Sequence, residues 1–132
     1  MAIGKLTKVL IVDDQKLVTQ LITAAVQSLN IVDIDIAFNG REAFSKYEAA
    51  LSSKPYDMII CDMDMPLMNG MEFLKLVRLQ DKDVAIMMLS ANTTQKAMSE
   101  AKAAGANYYF LKPIDIEILS LKLMAAMEVR TA

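Results

Sequence analysis

Two short apolar runs in this chain stop abruptly at carboxylates: Lys8-Val9-Leu10-Ile11-Val12 runs into Asp13-Asp14, and Met58-Ile59-Ile60-Cys61 runs into Asp62. Runs of this length and bulk read as strands buried on both faces, the form strands take in parallel sheets. In open sheets of that kind, ligands bind just beyond the carboxyl ends of the strands. Asp13, Asp14 and Asp62 therefore stand where such a fold does its chemistry.

The rest of the chain repeats the alternation of strand and helix. Leu17, Val18, Leu21, Ile22, Ala25, Val26 and Leu29 recur at helical spacing and predict a helix of about four turns after the first strand. Ile34 to Ala37 reads as a weaker strand, and Asn39-Gly40 turns into a helix carrying Ala43, Phe44, Tyr47, Ala50 and Leu51 that Ser52 to Pro55 ends. After the central strand, Pro66 and Asn69-Gly70 mark a loop. The next helix is placed from about Met71, around Phe73, Leu74, Leu76 and Val77, with Asp81 to Asp83 as its exit. Val84 to Leu89 forms a fourth strand with Ser90-Ala91-Asn92 at its end, and Thr94 to Ala104 a helix whose apolar face is mostly alanine. So small a face buries little, and this helix should be the loosest. Gly105 is a helix stop, Tyr108 to Leu111 a fifth strand ending in Lys112-Pro113, and Asp115 to Val129 a last helix.

Strand and helix in strict alternation mean an α/β domain with one parallel sheet and helices on both faces. A length of 132 residues suits a single domain over 1–132. If strands one, three, four and five are neighbours, Asp13, Asp14, Asp62, Ser90 and Lys112 converge on one edge.

Composition narrows the chemistry. With 14 Lys and Arg against 16 Asp and Glu, the net charge of -2 offers nothing to nucleic acid or an anionic membrane. No apolar run approaches the roughly 18 residues that span a bilayer, and the amino terminus lacks a signal-peptide core, so a cytoplasmic location is expected. The single Cys61 reads as a small buried hydrophobe. With no histidine present, Ser-His-Asp and Cys-His catalysis and histidine metal ligands are excluded, and a bound metal must be held by oxygen.

Carboxylates gathered together raise each other's pKa unless a cation sits among them, and magnesium prefers oxygen ligands while keeping waters and phosphate oxygens in its shell. A lysine and a hydroxyl are what the other oxygens of a phosphoryl group need. The set therefore reads as a Mg2+-dependent phosphoryl-transfer site in which a carboxylate is itself the nucleophile.

Five segments, in order and spacing, resemble the receiver domains of two-component response regulators: Val9 to Asp14, Ile59 to Gly70, Leu89-Ser90-Ala91, Gly105-Ala106 and Leu111-Lys112-Pro113. The resemblance implies a flavodoxin-like doubly wound sheet with strand order 2-1-3-4-5 and an aspartyl phosphate at Asp62. It implies that Asp13, Asp14, Asp62 and the backbone carbonyl of Asp64 hold Mg2+. Ser90 would follow the phosphoryl group, Lys112 would pair with it, and Tyr109 would be the aromatic residue that turns inward on activation. It implies a stand-alone phosphorylation switch of the chemotaxis or phosphorelay kind rather than a multiple-turnover enzyme. The phosphoryl donor would be a histidine kinase or phosphotransfer protein, and the output docking to a protein target through the face of the fourth helix, fifth strand and fifth helix.

Two other readings share these residues. Asp62-Met63-Asp64 resembles the first motif of haloacid-dehalogenase phosphatases, although that motif normally follows the first strand of a longer chain. The second is a receiver fragment of a larger transcriptional regulator. The last helix adds something of its own. Ile116, Leu119, Leu123 and Met127 form one apolar stripe, and Ile118, Leu121, Ala125 and Val129 a second on nearly the opposite side. One helix cannot bury both against one sheet, so the second stripe is expected outward, as a docking or homodimer surface.

Overall fold

Each apolar run becomes a strand of one parallel sheet: β1 (Lys8–Val12), β2 (Asp33–Ala37), β3 (Met58–Asp62), β4 (Ala85–Ser90) and β5 (Tyr108–Leu111). The structure, a computed structural model, describes residues 8–131, with side chains through Met127. The strand order is β2-β1-β3-β4-β5, as the family resemblance implied.

The strands sort their side chains at period two. Val9, Ile11, Met58, Ile60, Met87 and Leu89 face one core, and Leu10, Val12, Ile59, Cys61, Ile86 and Met88 the other. Helices α1 (Lys16–Gln27) and α5 (Ile116–Thr131) cover the first face, and α2 (Gly40–Leu51), α3 (Gly70–Gln80) and α4 (Gln95–Ala104) the second. Strands β3 and β4 are buried throughout, which explains their unbroken apolar composition. β2 is an edge, and Asp33 and Asp35 along it discourage pairing with another chain.

The helix starts carry their own signals. Asn69 closes a reciprocal capping box with Glu72, and Asn39 accepts from the Glu42 backbone N–H at the head of α2. Thr94 caps α4, and Gly105 ends it in the left-handed region at φ 115. In α4 only Ala101 is buried, in keeping with the loose packing expected of it.

The structure amends several boundaries and faces. α1 ends at Gln27, so the buried Leu29 lies beyond the helix, while Leu17 is 68% exposed. α3 begins at Gly70 rather than Met71 because Asn69 is its cap. In α5 Leu119, Leu123 and Met127 are buried as one stripe, joined by Ala126, whereas Ile116 is left exposed. Ile116 is the first residue of the helix, beside the carboxyl ends of the strands where the sheet has stopped. Ile118, Leu121 and Ala125 face outward, and Val129 lies outside the residues whose side chains are described.

Candidate functional site

The register sets the ends of four neighbouring strands side by side. Val12 pairs with Cys61, Asp62 with Leu89 and Ser90 with Leu111, so the residues just past β1 and β5 flank the last residues of β3 and β4. Asp13, Asp62 and Ser90 are buried polar groups in this row, while Asp14 is exposed at its mouth.

Lys112 ties the row together. Its Nζ lies 3.0 Å from Asp13 Oδ2 and 3.1 Å from Asp62 Oδ1. Its backbone N–H donates to the Ser90 carbonyl at 2.9 Å, and the Lys112–Pro113 peptide that follows is cis. Asp13 is held from the other side by the Gln15 backbone N–H, 2.9 Å from Oδ1. Ligand oxygens of Asp13, Asp14 and Asp62 lie within 4.8 Å of one another. The Asp64 side chain is exposed and stands outside that cluster, although its backbone N–H works to lower the Asp62 pKa.

Burial, and next the neighbouring Asp13 charge, push the Asp62 pKa up, against the opposing pull of Lys112. For Lys112, burial works to lower the pKa, but the hydrogen bond and charge of Asp13, followed by those of Asp62, outweigh it and leave the ammonium reinforced. Burial drives the Cys61 thiol well above its ordinary value, which suits the inert hydrophobe read from the sequence. When ionised, three carboxylates against one ammonium leave two negative charges in the pocket. An oxygen donor set with that residual charge fits a hard divalent cation.

A second chain of contacts leads away from the pocket. The Ser90 hydroxyl accepts from the Asn92 backbone N–H at 3.0 Å, and the Tyr109 hydroxyl donates to the Asn92 carbonyl at 2.9 Å. Asn92 Oδ1 in turn accepts from the Thr94 backbone N–H and hydroxyl at 2.9 and 2.8 Å. Sequence reasoning placed Ser90 and Tyr109 but gave Asn92 no part. Its signal was the Asn92-Thr93-Thr94 run, a composition that favours side-chain-to-backbone turns.

The family model of the response regulator receiver domain matches residues 9–124. This chain belongs to the response regulator receiver domain family. The receiver is 33% identical over 130 residues to a probable chemotaxis protein CheY of Rhizobium etli, covering 97% of this chain and 95% of that one. It is similar in structure to the chemotaxis response regulator CheY4 of Vibrio cholerae, at 35% identity and TM-score 0.79, covering 92% and 98% of the two chains. A CheX-CheY-BeF3-Mg2+ complex from Borrelia burgdorferi aligns at 28% identity and TM-score 0.84, over 91% of this chain and 88% of that one.

Receiver domains are signalling switches, not classical enzymes, and bind Mg2+ at an aspartate cluster; here Asp13, Asp14 and Asp62 form that cluster. The haloacid-dehalogenase reading is not favoured by the family match. Among the described residues, no helix is long and apolar enough to cross a membrane.

Proposed function

We propose that Asp62 is the phosphoryl acceptor of this receiver domain, with a partner's phosphohistidine as donor. The observation that carries the proposal is a buried carboxylate at the end of β3 paired with Lys112 and clustered with buried Asp13 and exposed Asp14. An Asp62 oxygen attacks phosphorus, the bond from phosphorus to the donor imidazole nitrogen breaks, and an acyl phosphate forms. Lys112, 3.1 Å from Asp62 Oδ1, would neutralise charge on the phosphoryl oxygens, and Ser90, on the adjacent strand end, would offer its hydroxyl to the same group. Asp13, Asp14, Asp62 and the Asp64 carbonyl would hold Mg2+, which when bound would neutralise charge on the phosphoryl oxygens. Hydrolysis of the acyl phosphate by water ends the signal, so turnover is limited to the chain's own phosphorylation and dephosphorylation.

The output runs through the Ser90–Asn92–Tyr109 contacts. A shift of Ser90 toward the phosphoryl group pulls on the Asn92 main chain and with it on the Tyr109 hydroxyl, changing the face of α4, β5 and α5. Loosely packed α4 is the element able to respond. That face docks a downstream protein, with a homodimer through α5 as a second occupant; nucleic acid and membrane are not among the partners, and the domain works in the cytoplasm. Hydrogen exchange on phosphorylation should change first in residues 91–111 and in α5, and a uniform change across the domain would oppose this route.

Labelling by acetyl phosphate with Mg2+ tests the acceptor. Asp62→Asn should abolish an acid-stable, hydroxylamine-sensitive label, and Asp64→Asn should retain it. Full labelling of Asp62→Asn would move the acceptor elsewhere.

A further inference from the structure

The segment that leaves Asp62 is built on thioethers. Met63, Met65 and Met68 of the loop and Met71 in the first turn of α3 are each partly buried and pack against the core beneath α2 and α3. The methionines inside the sheet, Met58, Met87 and Met88, are at most 1% exposed. A diffusible oxidant therefore reaches sulfur first in the segment that follows Asp62, together with the partly exposed Met98 and Met124 elsewhere.

The shape of this loop depends on its packing. Leu67 holds a left-handed backbone at φ 70 and is 68% exposed, a conformation that costs a non-glycine residue about 1 kcal/mol and persists only where neighbours enforce it. The neighbours are close: a Cβ on Gly40 would lie 2.2 Å from the Met68 carbonyl oxygen and 2.7 Å from the Met68 Cβ. Main-chain bonds from Met63 to Leu89, 2.9 Å, and from Gly70 to Met63, 3.0 Å, pin the two ends. The far end of the loop also lies directly against Asp62, because a Cβ on Gly70 would overlap the Asp62 carbonyl oxygen and crowd the Met63 Cα, so a change in loop shape is felt at the acceptor.

We propose that Met63, Met65, Met68 and Met71 form an oxidation-sensitive collar, through which hydrogen peroxide lowers the capacity of Asp62 to accept a phosphoryl group. The proposal rests on Asp62 being the acceptor. In the step with hydrogen peroxide, a sulfur lone pair attacks one peroxide oxygen, the O–O bond breaks and an S–O bond forms. The sulfur is oxidised by two electrons to the sulfoxide, and the departing oxygen leaves as water once protons have been exchanged with solvent. A sulfoxide is polar where the thioether was apolar, and against the α2–α3 core it has to turn toward solvent, taking the loop with it. Cys61 does not compete, being fully buried within β3.

The test uses the full chain, graded hydrogen peroxide, peptide mass mapping of each methionine, and acetyl phosphate labelling with Mg2+. Collar sulfoxides should form before any on Met58, Met87 or Met88. Labelling should fall about fivefold, the equivalent of roughly 1 kcal/mol, and return after treatment with methionine sulfoxide reductases of both epimer specificities. A Met65→Leu/Met68→Leu variant, which keeps volume and removes sulfur, should label like the parent and lose less on oxidation. Should that variant misfold, a Met98→Leu/Met124→Leu variant decides: it should lose labelling on oxidation as the natural chain does, and its resistance would overturn the proposal. Unchanged labelling with the collar fully oxidised, or lost labelling with the collar still reduced, overturns the proposal. A failure of the untreated chain to label counts instead against Asp62 as the acceptor.

Discussion

Lys112 Nζ lies 3.0 Å from Asp13 Oδ2, joining residues that stand 99 positions apart in the chain. The same nitrogen lies 3.1 Å from Asp62, so one ammonium holds two buried carboxylates from adjacent strand ends. Lys112→Ala would leave both unpaired, a loss of about 3 kcal/mol at neutral pH by urea unfolding. Mg2+ should restore part of it, and acid should shrink the deficit as the orphaned carboxylates take up protons. Unchanged stability would mean that the ammonium contributes nothing net.

Asp14 contributes to the cluster from an exposed position, and its removal should not disturb the core. Binding of Mg2+ to the native state stabilises it by mass action, about 2.7 kcal/mol at a hundred times Kd. Thermal melts with and without Mg2+ should show this gain in the parent and a smaller one in Asp14→Ala. A melting temperature indifferent to Mg2+ would sink the acidic-pocket reading.

Because the Asp62 pKa is raised in the fold, the native state holds that proton more tightly than the unfolded chain does. The group's contribution to stability is therefore fully present below its ordinary carboxylate value and is lost as pH rises through the raised one. Without metal, Asp62→Asn should melt above the parent at pH 7, with the gap closing in acid. An equal or lower melting temperature at pH 7 would show that Lys112 and the Asp64 N–H outweigh the burial.

On α5 the outward stripe is separable from the inward one. Leu121, at 65% exposure, should tolerate glutamate within about 0.5 kcal/mol and leave Asp62 labelling intact. Leu123, at 1%, should not, and its glutamate variant serves as the control in the same unfolding experiment. Sedimentation and binding measurements on Leu121→Glu should show weakened self-association or partner docking. Unfolding of Leu121→Glu would reverse the assignment of the two stripes.

The residues closest to the chemistry were legible because their signals are local. An apolar run that stops at Asp13 or Asp62 and a helix-ending glycine at 105 are each encoded within a few positions, whereas Asn69 read as part of a loop and is the cap of α3. Gly70 was legible only in part. It reads as a break in regular structure, yet it opens α3, and its requirement is space: a Cβ there would lie 2.3 Å from the Asp62 carbonyl oxygen. No pattern along the chain distinguishes a glycine needed for a turn from one needed for close approach.

By itself, the sequence determined the alternation of strand and helix, the two-faced burial of β1, β3 and β4, and the placing of carboxylates, hydroxyl and lysine at strand ends. These follow from periodicities of two and 3.6 residues and from breakers, which act over one element at a time. Only the tertiary structure decided that Lys112 spans Asp13 and Asp62, that Asn92 links Ser90 to Tyr109, and that Ile116 is left exposed. Those outcomes depend on strand order, on register and on where the sheet ends, and all three are set by packing between segments distant in the chain, which no local pattern records.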